Sequence, residues 1–203
     1  MLKVGLTGGI ACGKTNVLKE FDRLGVCGVD ADQVSRDIMQ PGGSAYGPVV
    51  ELFGQKILSA DNSIDRGKIG QIVFANPKKR LRLEAIVHPL ILKEQERILA
   101  ALEDELGSRL TRIAMVDAAL MVETGSYQRY DLIVVVYCNP EIQLGRLMTR
   151  DHLSEEEAQS RLDRQMDPFE TVRYGDFVID NSGRFSDTKL QIQDTFHELV
   201  SRL

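Results

Sequence analysis

Short apolar runs rich in β-branched residues alternate along this chain with longer stretches whose apolar positions recur at helical spacing. The runs cover residues 3–7, 26–29, 113–116, 132–138 and 177–179. Each suits a short strand buried on both faces. Val17, Leu18, Phe21 and Leu24 form one helical stripe just after the first run, the pattern of a helix lying on a core. Residues 77–106 read as a long helix, with Pro77 in its first turn and Gly107 just past its end. Ser154 followed by Glu157 marks a capping box, and residues 185–203 form a closing amphipathic helix. Strands alternating with helices predict an α/β fold: a five-stranded parallel sheet with helices on both faces.

The interval between the second and third strands, residues 31–112, is far longer than an ordinary crossover and contains Pro41-Gly42-Gly43. It is expected to be an inserted helical lobe within one domain spanning residues 1–203. Net charge is −5, and no segment gathers five or more Lys or Arg, so no nucleic-acid partner is expected. No apolar run approaches the roughly 20 residues of a membrane span, so no membrane partner is expected either. The opening MLKVGLTGG reads as a buried strand rather than a signal peptide. Cys12, Cys27 and Cys138 are odd in number and widely spaced. That argues against a disulfide framework and for a reducing, cytoplasmic setting.

The first strand runs directly into Gly8-Gly9-Ile10-Ala11-Cys12-Gly13-Lys14-Thr15, which fits G-x-x-x-x-G-K-[ST] between a strand and a helix. Glycines let the main chain turn tightly, so that successive amides face one concavity able to hold a polyphosphate. The helix that follows points its positive end at the same anion. Candidate phosphate contacts are Gly9, Ala11, Cys12, Gly13, Lys14, Thr15 and Asn16. Lys14 supplies a point charge and Thr15 a hydroxyl for Mg²⁺. Four apolar residues then Asp117 match the strand-end carboxylate that holds Mg²⁺ directly or through water.

Val29-Asp30-Ala31-Asp32 ends the second strand, at the sheet edge where ligands bind in open α/β folds. A hydroxyl acceptor benefits from a carboxylate that takes its proton. Asp32 is assigned that role, and Asp30 the capping of the next helix. After the fourth strand, Arg146 and Arg150 share a helix face and Arg161 and Arg164 follow. Residues 140–175 therefore read as a lid that excludes water and neutralises a transferring phosphoryl group. His88 is either a core histidine or a donor to an anionic substrate; spacing does not choose. Cys12 is either a small filler or a thiol whose pKa is lowered by Lys14 and the helix N-terminus.

Together these segments resemble the dephospho-coenzyme A kinase family over nearly the whole chain. LTGGIACGKT, GVDADQVSRDIMQPGG, IDRGKIGQIVF, RLEAIVHPLI, QLGRLMTRDHLSEEEAQSRLDRQM and DFVIDNSG carry the likeness. The resemblance implies ATP- and Mg²⁺-dependent phosphorylation of the ribose 3′-hydroxyl of dephospho-CoA, the last step of coenzyme A synthesis. It implies ATP and dephospho-CoA as the partners. Asp32 is then the base, while Lys14 and the lid residues Arg146 and Arg150 steady the γ-phosphate. His88 lies in the CoA lobe, and Asn181 near the adenine of ATP. A monomer or weak oligomer is expected. The chain departs from the family at Asp117-Ala-Ala-Leu-Met-Val-Glu123, where DVPLLFE is usual, at Ala11 and Cys12, and at Gly175. A kinase for another small alcohol is the nearest alternative. A guanine-nucleotide switch fits poorly, since N-K-x-D is absent.

Overall fold

A computed structural model describes residues 1–106 and 111–203; Gly107, expected just past the long helix, lies outside them. In chain order the elements are β1 (Leu2–Thr7), α1 (Lys14–Arg23), β2 (Cys27–Asp30), α2 (Ala31–Asp37), α3 (Tyr46–Phe53), α4 (Arg66–Ala75) and α5 (Pro77–Leu106). They continue as β3 (Ile113–Asp117), β4 (Leu132–Tyr137), α6 (Pro140–Asp151), α7 (Glu155–Leu162), α8 (Pro168–Thr171), β5 (Phe177–Asp180) and α9 (Phe185–Val200). The described residues form two compact units, Met1–Asp30 with Leu102–Leu203, and Ala31–Ala101.

In the first unit the strands make one parallel five-stranded sheet in the order β2-β3-β1-β4-β5. The α/β expectation is met. Side-chain alternation splits the core between the two faces. Leu132, Val134 and Val136 join Val4, Leu6, Ile113 and Met115 on one face, under Val17 and Phe21 of α1 and Ile192 and Leu199 of α9. Ile133 and Val135 point the other way and pack with Met121, Tyr127 and Tyr130. Runs without polar positions belong to strands covered on both sides, and these are covered.

Strand ends differ slightly from the sequence pattern. Val26 is held outside β2 because its amide donates to Phe21 O in the turn leaving α1 (3.1 Å). β4 stops at Tyr137, paired with Asp180, and Cys138 continues beyond the ladder. The capping box at α7 forms as expected: Ser154 Oγ accepts from Glu157 N (3.2 Å) and Glu157 Oε2 from Ser154 N (2.9 Å). Hydrogen bonds from the Ser154 amide and then the Ser154 hydroxyl hold the Glu157 carboxyl below its ordinary range.

The second unit is helical. Val49, Phe53, Ile57 and Ile69 are buried within it, and Asp65 Oδ1 caps α4 by accepting from Lys68 N (3.0 Å). Among the described residues no helix is long and apolar enough to cross a membrane.

Phe21 joins α1 to the sheet and is fully buried. Phe21→Ala should cost about 3–5 kcal/mol, read as a lower urea midpoint. A loss below about 1 kcal/mol would mean that α1 is held to the sheet by other contacts.

Candidate active site

The loop from Gly8 to Gly13 joins the end of β1 to the start of α1. Ala11 and Gly13 sit in the left-handed region, at φ 60° and 91°. Cys12 N donates to Gly9 O (3.2 Å) and Ile10 N to Gln165 Oε1 (2.7 Å). Asn16 N and Val17 N both turn back to Gly13 O. Among the described residues, the amides of Ala11, Gly13, Lys14 and Thr15 donate to no protein group. Alternating right- and left-handed residues with open amides form a nest for an anion. No side chain caps α1 and its first turn carries no acidic residue, so nothing competes with an anion at its positive end. Lys14 Nζ rests on Gly8 O (2.9 Å) at the rim of the nest.

Three side chains from distant elements brace the loop. Asn181, just past β5 and buried, donates from Nδ2 to Cys12 O (2.8 Å) and accepts at Oδ1 from Thr188 Oγ1 (3.0 Å). Gln143 of α6 donates from Nε2 to Ile10 O (2.8 Å), and Gln165 accepts from Ile10 N. Glycine is required where these braces arrive. A Cβ on Gly13 would stand 2.3 Å from Asn181 Nδ2, and one on Gly9 would stand 2.4 Å from Gln143 Nε2. The family resemblance implies Asn181 near the adenine of ATP. Gln143, Gln165 and Thr188 carry no sequence signal, since a lone uncharged polar residue on a helix or in a turn matches no motif.

Asp117 closes β3, in register with Leu6 of β1 on one side and Asp30 of β2 on the other. Asp32 lies two residues beyond β2, exposed in the first turn of α2. Thr15 is exposed at the start of α1. Thr7 Oγ1, beside the loop, is buried without a hydrogen-bond partner, so the edge holds polar capacity that the described side chains leave unused. Among the described residues no group of three or more His, Cys, Asp or Glu could hold a metal by itself. A threonine hydroxyl with one carboxylate instead fits Mg²⁺, which takes one or two protein oxygens and completes its shell with phosphates and water.

The arginines divide. Arg146 Nη1 donates to Cys138 Sγ (3.4 Å) and is half-buried. Arg150 pairs with Asp151 at 2.8 Å, and Arg161 reaches the same carboxylate at 2.8 Å. Asp151 therefore ties α6 to α7, and the Arg150 guanidinium, then Arg161, hold its carboxyl below the usual carboxylate range. His88 lies exposed on α5, so the alternative of a core histidine is removed.

The structure decides between the two readings of Cys12. Its side chain is 1% exposed and shares a hydrogen bond with the buried thiol of Cys138. That bond and burial push Cys12 up, outweighing the nearby Lys14 charge. The negative end of the pair falls on Cys138, lowered by the bond from Cys12 and by Arg146. The reading of Cys12 as a small filler is the one that holds, because its sulfur points into the core rather than at the anion site.

The dephospho-CoA kinase family model matches residues 2–187. A dephospho-CoA kinase of Geobacter metallireducens is 42% identical over 202 residues, covering 100% of this chain and 98% of that protein. The structure of dephospho-CoA kinase from Campylobacter jejuni is similar, with a TM-score of 0.74 and 29% identity over 98% of this chain and 97% of that one. A Thermus thermophilus structure, TT1252, gives a TM-score of 0.82 and 25% identity, with coverages of 98% and 97%.

The thiol pair predicts an order of labelling. In native protein Cys27, half-buried, should react with a maleimide at least about tenfold faster than Cys12 or Cys138, which need local opening. Equal rates at all three positions, mapped by mass spectrometry, would contradict the buried pair.

Proposed function

The chain belongs to the dephospho-CoA kinase family, and on that premise we propose how its residues divide the reaction. ATP donates its γ-phosphoryl group to the ribose 3′-hydroxyl of dephospho-CoA, giving coenzyme A and ADP. The observation that carries this reading is the set of four open amides at the positive end of α1, directly after the central strand of a parallel sheet. Such a cradle holds the phosphates of ATP while they change charge distribution.

Gly9, Ala11, Cys12, Gly13, Lys14, Thr15 and Asn16 line or close that cradle, and Asn181 supports it through Cys12. The Thr15 hydroxyl and the Asp117 carboxylate would hold Mg²⁺, directly or through water, and the ion would offset charge on the β- and γ-phosphates. Asp32 accepts the proton of the attacking hydroxyl. The new O–P bond forms at the ribose oxygen as the bridging β–γ P–O bond breaks, and ADP leaves with that electron pair. Lys14, Arg146 and Arg150 neutralise the group in transit. Arg146 and Arg150 lie on the segment 140–175, assigned as the lid.

Residues 31–112 are assigned to the CoA moiety. Exposed Phe74 and Leu81, on α4 and α5, offer apolar surface for a pantetheine arm, and His88 of α5 offers a donor for an anionic group.

A coupled ADP-release assay tests the reading. Dephospho-CoA should be turned over with a kcat/KM at least about 100-fold above that for adenosine, because only it engages the helical lobe. Equal use of simple nucleosides would favour a kinase for another small alcohol. Asp32→Asn should lower kcat by about 10²- to 10⁴-fold with ATP affinity little changed. A variant that kept full turnover would remove Asp32 from the role of base.

A further inference from the structure

We infer that Gln143 and Gln165 are positioning residues for phosphoryl transfer, acting together on the two peptide groups of Ile10. The inference rests on the phosphoryl-transfer reading above. Gln143 Nε2 donates to Ile10 O at 2.8 Å, and Gln165 Oε1 accepts from Ile10 N at 2.7 Å. One bond holds the peptide entering Ile10 and the other the peptide leaving it. Both dihedral angles of that residue are therefore constrained from outside the loop.

The constraint matters because of the next residue. Ala11 has φ 60°, a left-handed conformation that costs an L-residue stability and persists where its surroundings over-determine it. Its amide is one of the open donors of the nest. Without the two glutamines, nothing else among the described residues holds Ile10 through its main chain, and the nest could relax by rotating the peptide between Ile10 and Ala11. An amide side chain is suited to this task. It offers a donor and an acceptor yet places no charge beside a polyphosphate.

Both glutamines are themselves anchored. Gln143 is 3% exposed and lies in the first turn of α6, which Asn139 caps by accepting from Glu141 N (2.9 Å). Gln165 follows α7, and the adjoining Met166 N donates to Glu123 Oε1 (3.1 Å). Glu123 lies in the turns after β3, so the far end of the segment carrying Asp117 fixes the reach of Gln165. The α6–α7 pair, tied by Asp151 to Arg150 and Arg161, thus grips the loop from both ends. Arg146 stands three residues after Gln143 on the same helix. Gln143 accordingly sets the distance between that arginine and the nest.

Gln143→Met and Gln165→Met keep side-chain volume and remove the bonds. Each should lower kcat and weaken ADP binding about tenfold, equivalent to about 1.4 kcal/mol, with KM for dephospho-CoA within about twofold. The double variant should fall at most about threefold below the weaker single, since both act on one residue. Amide exchange at Ile10, followed by NMR without nucleotide, should quicken in both, with thermal midpoints held within about 2 °C. The positioning role is overturned if kcat, ADP affinity and Ile10 exchange are unchanged. It is equally overturned if KM and thermal midpoint fall with kcat, or if the two losses multiply. A wild-type protein that releases no ADP with dephospho-CoA overturns the functional reading instead. Ile10 exchange and ADP affinity then still decide the positioning role.

Discussion

Four main-chain amides that find no acceptor among the described residues, at Ala11, Gly13, Lys14 and Thr15, set the terms for the rest of the first unit. Open donors are stable at the mouth of a sheet, where water or an anion can meet them, and costly anywhere deeper. Keeping them open demands a loop that cannot collapse onto itself. The glycines allow the turn but do not enforce it. Enforcement comes from Asn181, Gln143 and Gln165, each bonded to a carbonyl or amide that the nest does not offer to a ligand.

The parallel sheet supplies the frame for this arrangement. Because all five strands run the same way, the ends of β1, β3 and β4 lie at one edge, and β1 stands between the other two. Asp117 is therefore held beside the loop by ladder bonds rather than by a flexible linker. On the other side, the chain leaving β4 delivers Cys138 beneath the loop and begins the helix that carries Gln143 and Arg146. The Cys12–Cys138 contact fills the space under the turn with small, buried sulfur, where a larger side chain would lift the loop.

Helices α6 and α7 are joined differently. Arg150 and Arg161 meet Asp151 at the surface, and exposed pairs of this kind contribute about 0–1 kcal/mol at most. The glutamine bonds lie in less exposed surroundings and compete with water less.

Much of this was legible in the residues alone. Strands, the long helix, the capping box and the phosphate loop follow from local periods and turn chemistry, which act over a few residues and leave a pattern in the order of amino acids. Only the tertiary structure decided what braces the loop. The bonds from Gln143, Gln165 and Asn181 span 133, 155 and 169 residues of chain. A contact closed over such distances has no local periodicity, so Gln143 and Gln165 read as ordinary polar residues, and the family resemblance that singles out Asn181 does not say that it braces the loop. Burial of Cys12 against Cys138 was hidden for the same reason. Its neighbours in sequence left a filler and an activated thiol both open, and its neighbour across the fold, a second sulfur in the core, decided for the filler.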